Sequence, residues 1–271
     1  MSSSRRLHFI EADPRAHGWP SDRPLRGTLL LIHGFPLNAR MWEPQFVLAE
    51  LGWRIVAPYL RGFDGPSART LDAPGMDDFA IDIADLLQTL GVPQAVIGGL
   101  SMGGYVALSL FRMAPGLFRA MILADTRADA DSPATRLNRQ RMIETATGSG
   151  GLAVADDLLP ALLGRSTATE QPSLAGRVRE LMSSTPPDTI VAALRAMMTR
   201  GDSTQTLPSV RVPALVVVGE EDTLTPPSLS RAMVGALPSA ELVIVPRAGH
   251  LSNLEQPEAF NGAVARFLDR L

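Results

Sequence analysis

The sequence predicts an α/β protein, a mostly parallel sheet flanked by helices. Three observations carry this reading. Short apolar runs alternate with longer stretches of helical period, that alternation stops once, between about Arg127 and Ser209, and a lone serine stands among glycines where one run meets a helix. With 271 residues and 45% apolar content the chain can bury one full core, and α/β folds of this size commonly form one principal domain.

The runs Thr28–Ile32, Arg54–Ala57, Ala95–Gly98, Ala120–Ala124, Ala214–Val218 and Leu242–Val245 are short and largely apolar, which suits strands covered on both faces. Between them Arg40–Leu51, Met76–Leu90, Met102–Met113, Pro227–Leu237 and Pro257–Leu271 read as helices. In the second of these Phe79, Ile83, Leu86, Leu87 and Leu90 recur at three and four residues, so one face packs on the sheet. Strand signals vanish over residues 127–209, and helix starts are expected at Ser132-Pro133, Ser173 and Thr185-Pro186, where Ser or Thr can cap and proline can occupy the first turn. This stretch reads as a helical cap, with residues 1–126 and 210–271 as the core. Its apolar residues, among them Leu137, Met142, Leu158, Leu162, Leu181, Leu194, Met197 and Met198, have packing as their ordinary role, and as a set they are candidates to line a pocket.

Composition removes several chemistries. The formal net charge is −3 and the arginines are scattered, which leaves no basic stripe to neutralise a nucleic-acid backbone. Cysteine is absent, so disulfides, thiolate catalysis and thiolate metal sites are excluded. Every one of the 25 basic residues is arginine, which removes Schiff-base lysine chemistry and the P-loop lysine. The four histidines are isolated and form no HExxH, so no metal is expected. No cofactor is expected either. The first residues lack the sustained apolar segment of a secretory signal and no run approaches the roughly 20 residues of a membrane span, so a cytoplasmic protein that binds neither membrane nor nucleic acid is expected.

The chemistry concentrates in Gly98-Gly99-Leu100-Ser101-Met102-Gly103-Gly104. A dinucleotide fingerprint needs glycine at its third position, where Leu100 or Ser101 stands. A phosphate-binding P-loop needs lysine. What fits is Gly99-x-Ser101-x-Gly103, a strand-to-helix elbow in which glycines two before and two after the serine remove side chains that would collide. The hydroxyl then stands at a helix N-terminus, whose unpaired amides favour a developing oxyanion.

A serine hydroxyl is a weak nucleophile and needs a base with an orienting acid. His33 follows a strand, where a histidine ordinarily shapes the next loop, and His8 and His17 lie in the N-terminal stretch. His250 sits in Arg247-Ala248-Gly249-His250-Leu251, after the last strand and on the same carboxyl edge as Ser101. The acid is expected in Gly219-Glu220-Glu221-Asp222-Thr223-Leu224-Thr225-Pro226-Pro227. Asp222 is the choice, with Glu220 and Glu221 as solvated neighbours or local caps, and Asp125 after Ala120–Ala124 is an alternative. The order Ser101, Asp222, His250 suits this architecture.

These residues resemble the α/β-hydrolase fold family over nearly the whole chain. His33-Gly34-Phe35-Pro36 looks like its oxyanion loop, Arg61-Gly62-Phe63-Asp64-Gly65-Pro66-Ser67 its loop before the elbow, and Gly249-His250 its histidine loop. The resemblance implies an eight-stranded type of sheet with the cap inserted after the sixth strand. It also implies an oxyanion hole made by the backbone amides of Phe35 and Met102. Within the family the motifs look most like small carboxylesterases, 3-oxoadipate enol-lactonases and cofactor-free perhydrolases. The implied activity is cleavage of a small ester or lactone through an acyl-enzyme on Ser101. Haloalkane dehalogenases and epoxide hydrolases carry an aspartate where Ser101 stands, and the cap tyrosines of the latter have no counterpart, since the only tyrosines are Tyr59 and Tyr105. A small-molecule receptor on the same scaffold is the reading from another class. Trp42, Phe35 and Leu100 are candidates for an apolar pocket, with core packing the ordinary role of Trp42. Arg127, Arg136 and Arg139 are candidates to bind a substrate carboxylate.

Overall fold

The structure, a computed structural model, describes residues 7–64 and 74–271. Gly65, Pro66 and Ser67 of the loop before the elbow lie outside the described residues, as do the two arginines of the N-terminal MSSSRR. In chain order the elements are β1 (Phe9–Ala12), β2 (Gly27–Ile32), a 3₁₀ run over Ala39–Leu51, β3 (Trp53–Pro58), α1 (Met76–Thr89), β4 (Ala95–Leu100), α2 (Met102–Met113) and β5 (Phe118–Ala124). Five helices follow: α3 (Pro133–Ser149), α4 (Gly151–Leu162), α5 (Arg165–Glu170), α6 (Pro172–Ser183) and α7 (Pro187–Thr199). The chain then returns to the sheet with β6 (Ala214–Gly219), α8 (Pro227–Ala236), β7 (Ala240–Val245), α9 (Ser252–Glu255) and α10 (Pro257–Leu268).

The seven strands form one sheet in the order β1-β3-β2-β4-β5-β6-β7. Only β1 runs antiparallel, against β3, and the remaining neighbours are parallel. The sheet differs from expectation in count: among the described residues there are seven strands, not eight, and the helical stretch follows the fifth, not the sixth. A single strand, β1, precedes β2 among those residues, and its four-residue FIEA is too short to signal itself by pattern.

Alternate residues of the strands feed two core layers. Leu30, Ile32, Ile97 and Val216 face the side covered by α1 and α2, where Phe79, Ile83, Val106 and Leu110 pack. Leu29, Leu31, Val96 and Leu215 face the other, against Trp42, Phe260, Val264 and Phe267. The period of two along a strand produces this division. The helices between β5 and β6 join both layers, α7 through Ile190, Leu194 and Met197, and α4 and α6 through Leu162, Val178, Leu181 and Met182. Packing therefore accounts for most of their apolar residues, although Leu137 is exposed.

Some local readings change. The Arg40–Leu51 segment is 3₁₀ rather than α, with Pro44 inside it; proline offers no amide to an α-helical bond and its ring crowds the preceding turn. The expected start at Ser132 holds, its side chain accepting from the Thr135 amide. The start expected at Ser173 lies at Pro172 with Gln171 before it. The start expected at Thr185 lies at Pro187 with Pro186 before it, and the Thr185 hydroxyl donates to the Pro36 carbonyl at 2.8 Å.

At the junction of β4 and α2 backbone meets backbone with no room for a side chain. A Cβ on Gly99 would stand 2.1 Å from the Gly103 carbonyl oxygen, and one on Gly103 would stand 2.2 Å from the Ile32 carbonyl oxygen. Both obstacles are backbone and cannot swing aside. Gly99→Ala is expected to cost at least about 3 kcal/mol or to prevent folding. Gly176→Ala in α6, where an added Cβ meets nothing within 4 Å, should raise stability by about 0.5–1 kcal/mol. Urea unfolding of both variants checks the contrast.

Candidate active site

At the β4–α2 junction Ser101 takes φ 53° and ψ −114°, a conformation that L-residues rarely adopt and that the surrounding structure must impose. Its amide still donates to Ala124 at 2.9 Å, in continuation of the sheet ladder, and its carbonyl accepts from Gly104 and Tyr105 as α2 begins. Thr126 Oγ1 donates to the same carbonyl at 2.7 Å. The backbone is thus held on both sides while the side chain leaves the turn.

The Ser101 hydroxyl donates to His250 Nε2 at 2.8 Å. On the other edge of the ring, His250 Nδ1–H donates to Asp222 Oδ2 at 2.8 Å. Asp222 is fixed by its own loop: Oδ1 accepts from the amides of Leu224 at 2.8 Å and Thr225 at 2.9 Å, and Oδ2 accepts from Thr225 Oγ1 at 2.6 Å. The three residues expected at the carboxyl edge therefore meet in one hydrogen-bonded chain. Thr225 was not foreseen; its signal is an acceptor three residues before a hydroxyl and a proline, an Asx-type turn.

Electrostatics sorts the buried groups. Burial pushes the Asp222 carboxyl upward, but the charge and hydrogen bond of His250 and the donors from Thr225 outweigh it, so it lies below the ordinary carboxylate range. Burial opposes a charge on His250, yet the attraction of Asp222, with smaller pulls from Asp125 and Glu255, carries its pKa above the ordinary 6.5. Asp125, the alternative acid, is hydrogen-bonded elsewhere. It accepts from the Gly219 amide at 2.8 Å and from Ser252 Oγ at 2.5 Å. Burial and the charge of Asp222 push it up to about 8.

The remaining histidines take ordinary roles. His33 is fully buried; its Nε2 accepts from the Leu60 amide at 3.1 Å, so Nδ1 carries the proton and donates to the Gly34 carbonyl at 3.1 Å. It ties the loop after β2 to the loop after β3. His8 pairs with Asp64 at the surface, and His17 bonds the Asp13 carbonyl.

Phe35 follows β2, and Met102 is the first residue of α2. Neither amide donates a hydrogen bond to a described residue, as is ordinary for Met102 at a helix start. Trp42 lies in the core beside Phe260, with ring centroids 6.1 Å apart, and Leu100 is buried in the sheet. Arg127 pairs with Asp129 and Arg139 with Asp131, while Arg136 is exposed on α3. A separate cavity of about 270 Å³ lies beside α2, lined by Tyr105, Leu108, Arg112, Arg127, Arg200 and Ser203 among others.

Residues 27–257 match the family model described as alpha/beta hydrolase fold, and the chain belongs to that family. Among curated relatives, "Putative carbamate hydrolase RutD" of Caulobacter sp. is 30% identical over 257 residues, covering 93% of each chain. "Putative non-heme bromoperoxidase BpoC" of Mycobacterium tuberculosis is 31% identical over 249 residues, 88% of this chain and 92% of its own. Among solved structures, a thermophilic esterase from Thermogutta terrifontis superposes with a TM-score of 0.87 at 35% identity, covering 97% of this chain and 93% of its own. The family, with the names of the carbamate hydrolase and the esterase, places the chain among hydrolase enzymes. No helix among the described residues is long and apolar enough to cross a membrane.

His33 offers a test of its assigned role. Burial, only partly offset by the bond to Gly34, lowers its pKa from 6.5 to about 4. The unfolded chain therefore takes up a proton that the folded chain refuses, and this histidine's contribution is present above pH 6.5 and lost as pH falls toward 4. The stability gap between wild type and His33→Asn should narrow over that window by on the order of 3 kcal/mol. Urea midpoints measured across it check this, and a constant gap would contradict it.

Proposed function

We propose that this chain is a serine hydrolase of carboxylic esters that works through an acyl-enzyme on Ser101. The observation that carries the reading is the unbroken chain from Asp222 through His250 to Ser101, with the imidazole 2.8 Å from Asp222 Oδ2 and 2.8 Å from Ser101 Oγ. In this reading His250 Nε2 takes the hydroxyl proton as Ser101 Oγ attacks the ester carbonyl carbon. Asp222 holds the ring in the tautomer that leaves Nε2 free and stabilises the imidazolium. The amides of Phe35 and Met102 receive the oxyanion, aided by the positive end of α2. As the tetrahedral intermediate collapses, the alcohol leaves with the proton from His250. Water then gives a proton to His250 and attacks the acyl carbon; as that intermediate collapses the bond to Ser101 Oγ breaks, His250 returns the proton to the serine, and the acid is released.

Residues 127–209 act as a cap over this site in the same reading, and the substrate is a small molecule that enters beneath it. A neutral acyl ester is favoured over an anionic lactone by one feature: of the three basic side chains considered for a substrate carboxylate, Arg127 and Arg139 already carry Asp129 and Asp131, and Arg136 is exposed on α3. A perhydrolase or a lactonase would use the same three side chains with a differently shaped pocket.

Ser101→Ala should abolish turnover of p-nitrophenyl acetate; wild-type activity in that variant would end the assignment. Asp222→Asn should lower kcat by about a thousand- to ten-thousand-fold, and an equal loss in Asp125→Asn alone would move the acid to that position. Cleavage that stops at one equivalent would favour a receptor. Since His250 must be neutral to accept the proton and its pKa is raised above 6.5, the acid limb of kcat/KM should fall at a pH above that of an ordinary imidazole.

A further inference from the structure

The backbone around His250 is held by a carboxylate to which the mechanism gives no part. Glu255 on α9 is 1% exposed. Its Oε1 accepts from the amides on both sides of the histidine, Gly249 at 2.9 Å and Leu251 at 3.1 Å. Its Oε2 accepts from the Gly164 amide at 2.8 Å, in the segment that follows α4. The amide of His250 itself donates to the Leu162 carbonyl at 3.0 Å. Three successive amides of the histidine loop therefore end on Glu255, on the helical stretch between β5 and β6, and on Glu255 again.

The two segments touch backbone to backbone. A Cβ on Gly249 would stand 2.3 Å from the Gly164 nitrogen, and one on Gly164 would stand 2.8 Å from the Gly249 nitrogen. The loop that carries Asp222 grips the same segment, since Glu221 accepts from the Ser166 amide at 2.9 Å and from its hydroxyl at 2.6 Å. Gln171 Nε2 adds a bond to the Glu255 carbonyl at 3.1 Å.

We propose that Glu255 is a positioning residue, one buried carboxylate that joins residues 162–164 to the histidine loop so that the seating of that segment sets the position of the imidazole. This rests on the serine-hydrolase reading. Satisfying buried amides would by itself require only stability from Glu255. Positioning requires more, because displacement of a reacting group by about 1 Å can cost about a hundredfold in rate. The site's charge distribution supplies a second readout. The titratable groups around His250 are Asp222 from the loop after β6, Glu255 from α9 and Asp125 from the end of β5, the last of which is pushed up to about 8. Residues 162–164 contribute none, and Glu221 is turned to Ser166 and Arg165. Removing the Glu255 charge removes one of the pulls that raise the imidazole pKa.

The test compares Glu255→Gln and Gly164→Ala in the full chain, with thermal unfolding to establish that each folds. In Glu255→Gln one carboxylate oxygen becomes an NH₂ that cannot accept from an amide. kcat on p-nitrophenyl acetate should fall about 10- to 100-fold while KM changes by less than about threefold, and the acid limb should move to lower pH. Gly164→Ala separates the segments without changing charge, so kcat should fall while the acid limb stays. It decides the question if Glu255→Gln does not fold. Folded variants with wild-type kcat and an unmoved acid limb would overturn the proposal. So would a loss confined to melting temperature. The low-field proton resonance of His250 Nδ1–H, titrated in wild type and Glu255→Gln, reads the same effect without substrate. If Ser101→Ala proves fully active, the serine-hydrolase reading fails, and this titration still decides whether Glu255 governs the imidazole.

Discussion

Everything at the carboxyl edge of the sheet depends on how closely β4 and α2 approach each other. Gly99 lies against the backbone of Gly103, and Gly103 against the backbone of β2 at Ile32. Only residues without a Cβ permit this approach, and the chain between them must turn so sharply that Ser101 takes a positive φ. Strain at one residue is sustained by packing that involves three elements. Its consequence is chemical: the hydroxyl projects clear of the turn at the N-terminus of a helix, where amides are unpaired.

The partners of that hydroxyl come from loops far apart in sequence, and burial makes their charges a matter of arrangement. Two carboxyls, Asp125 and Asp222, lie in the same buried region with opposite outcomes. Asp222 takes donors from Thr225, Leu224 and His250 and is held ionised. Asp125, deprived of water and close to that negative charge, is pushed up to about 8 and holds its proton at neutral pH. Of these two carboxyls, Asp222 alone meets the imidazole as a carboxylate. His33, kept neutral by the same burial, braces the loop on the opposite side of the serine.

The parts legible in the sequence were those with a local physical cause. Helical period gave α1, and the bounds of α2 followed from the elbow and the apolar run after it. Glycine spacing gave the elbow. Chain order on the carboxyl edge brought Asp222 and His250 to Ser101. What stayed hidden was set by tertiary contact. β1 forms because β3 offers an edge, and the Ala39–Leu51 run becomes 3₁₀ around Pro44 although its apolar pattern suits an α-helix. The bonds of Asp125 to Ser252 and of Glu255 to Gly164 span 127 and 91 residues. No pattern in a single sequence specifies such pairs. Thr225 lies between these cases, a local turn whose spacing is visible and whose importance appears only with the histidine in place.

In the proposed reaction Ser101 Oγ forms a covalent bond to the acyl group. Rapid mixing of the protein with a p-nitrophenyl ester, acid quenching within the first turnovers and peptide mass spectrometry measure this most directly. A burst of p-nitrophenol and an acyl group on the peptide carrying Ser101 are expected. Steady turnover with no adduct, or with the acyl group on another residue, would contradict it.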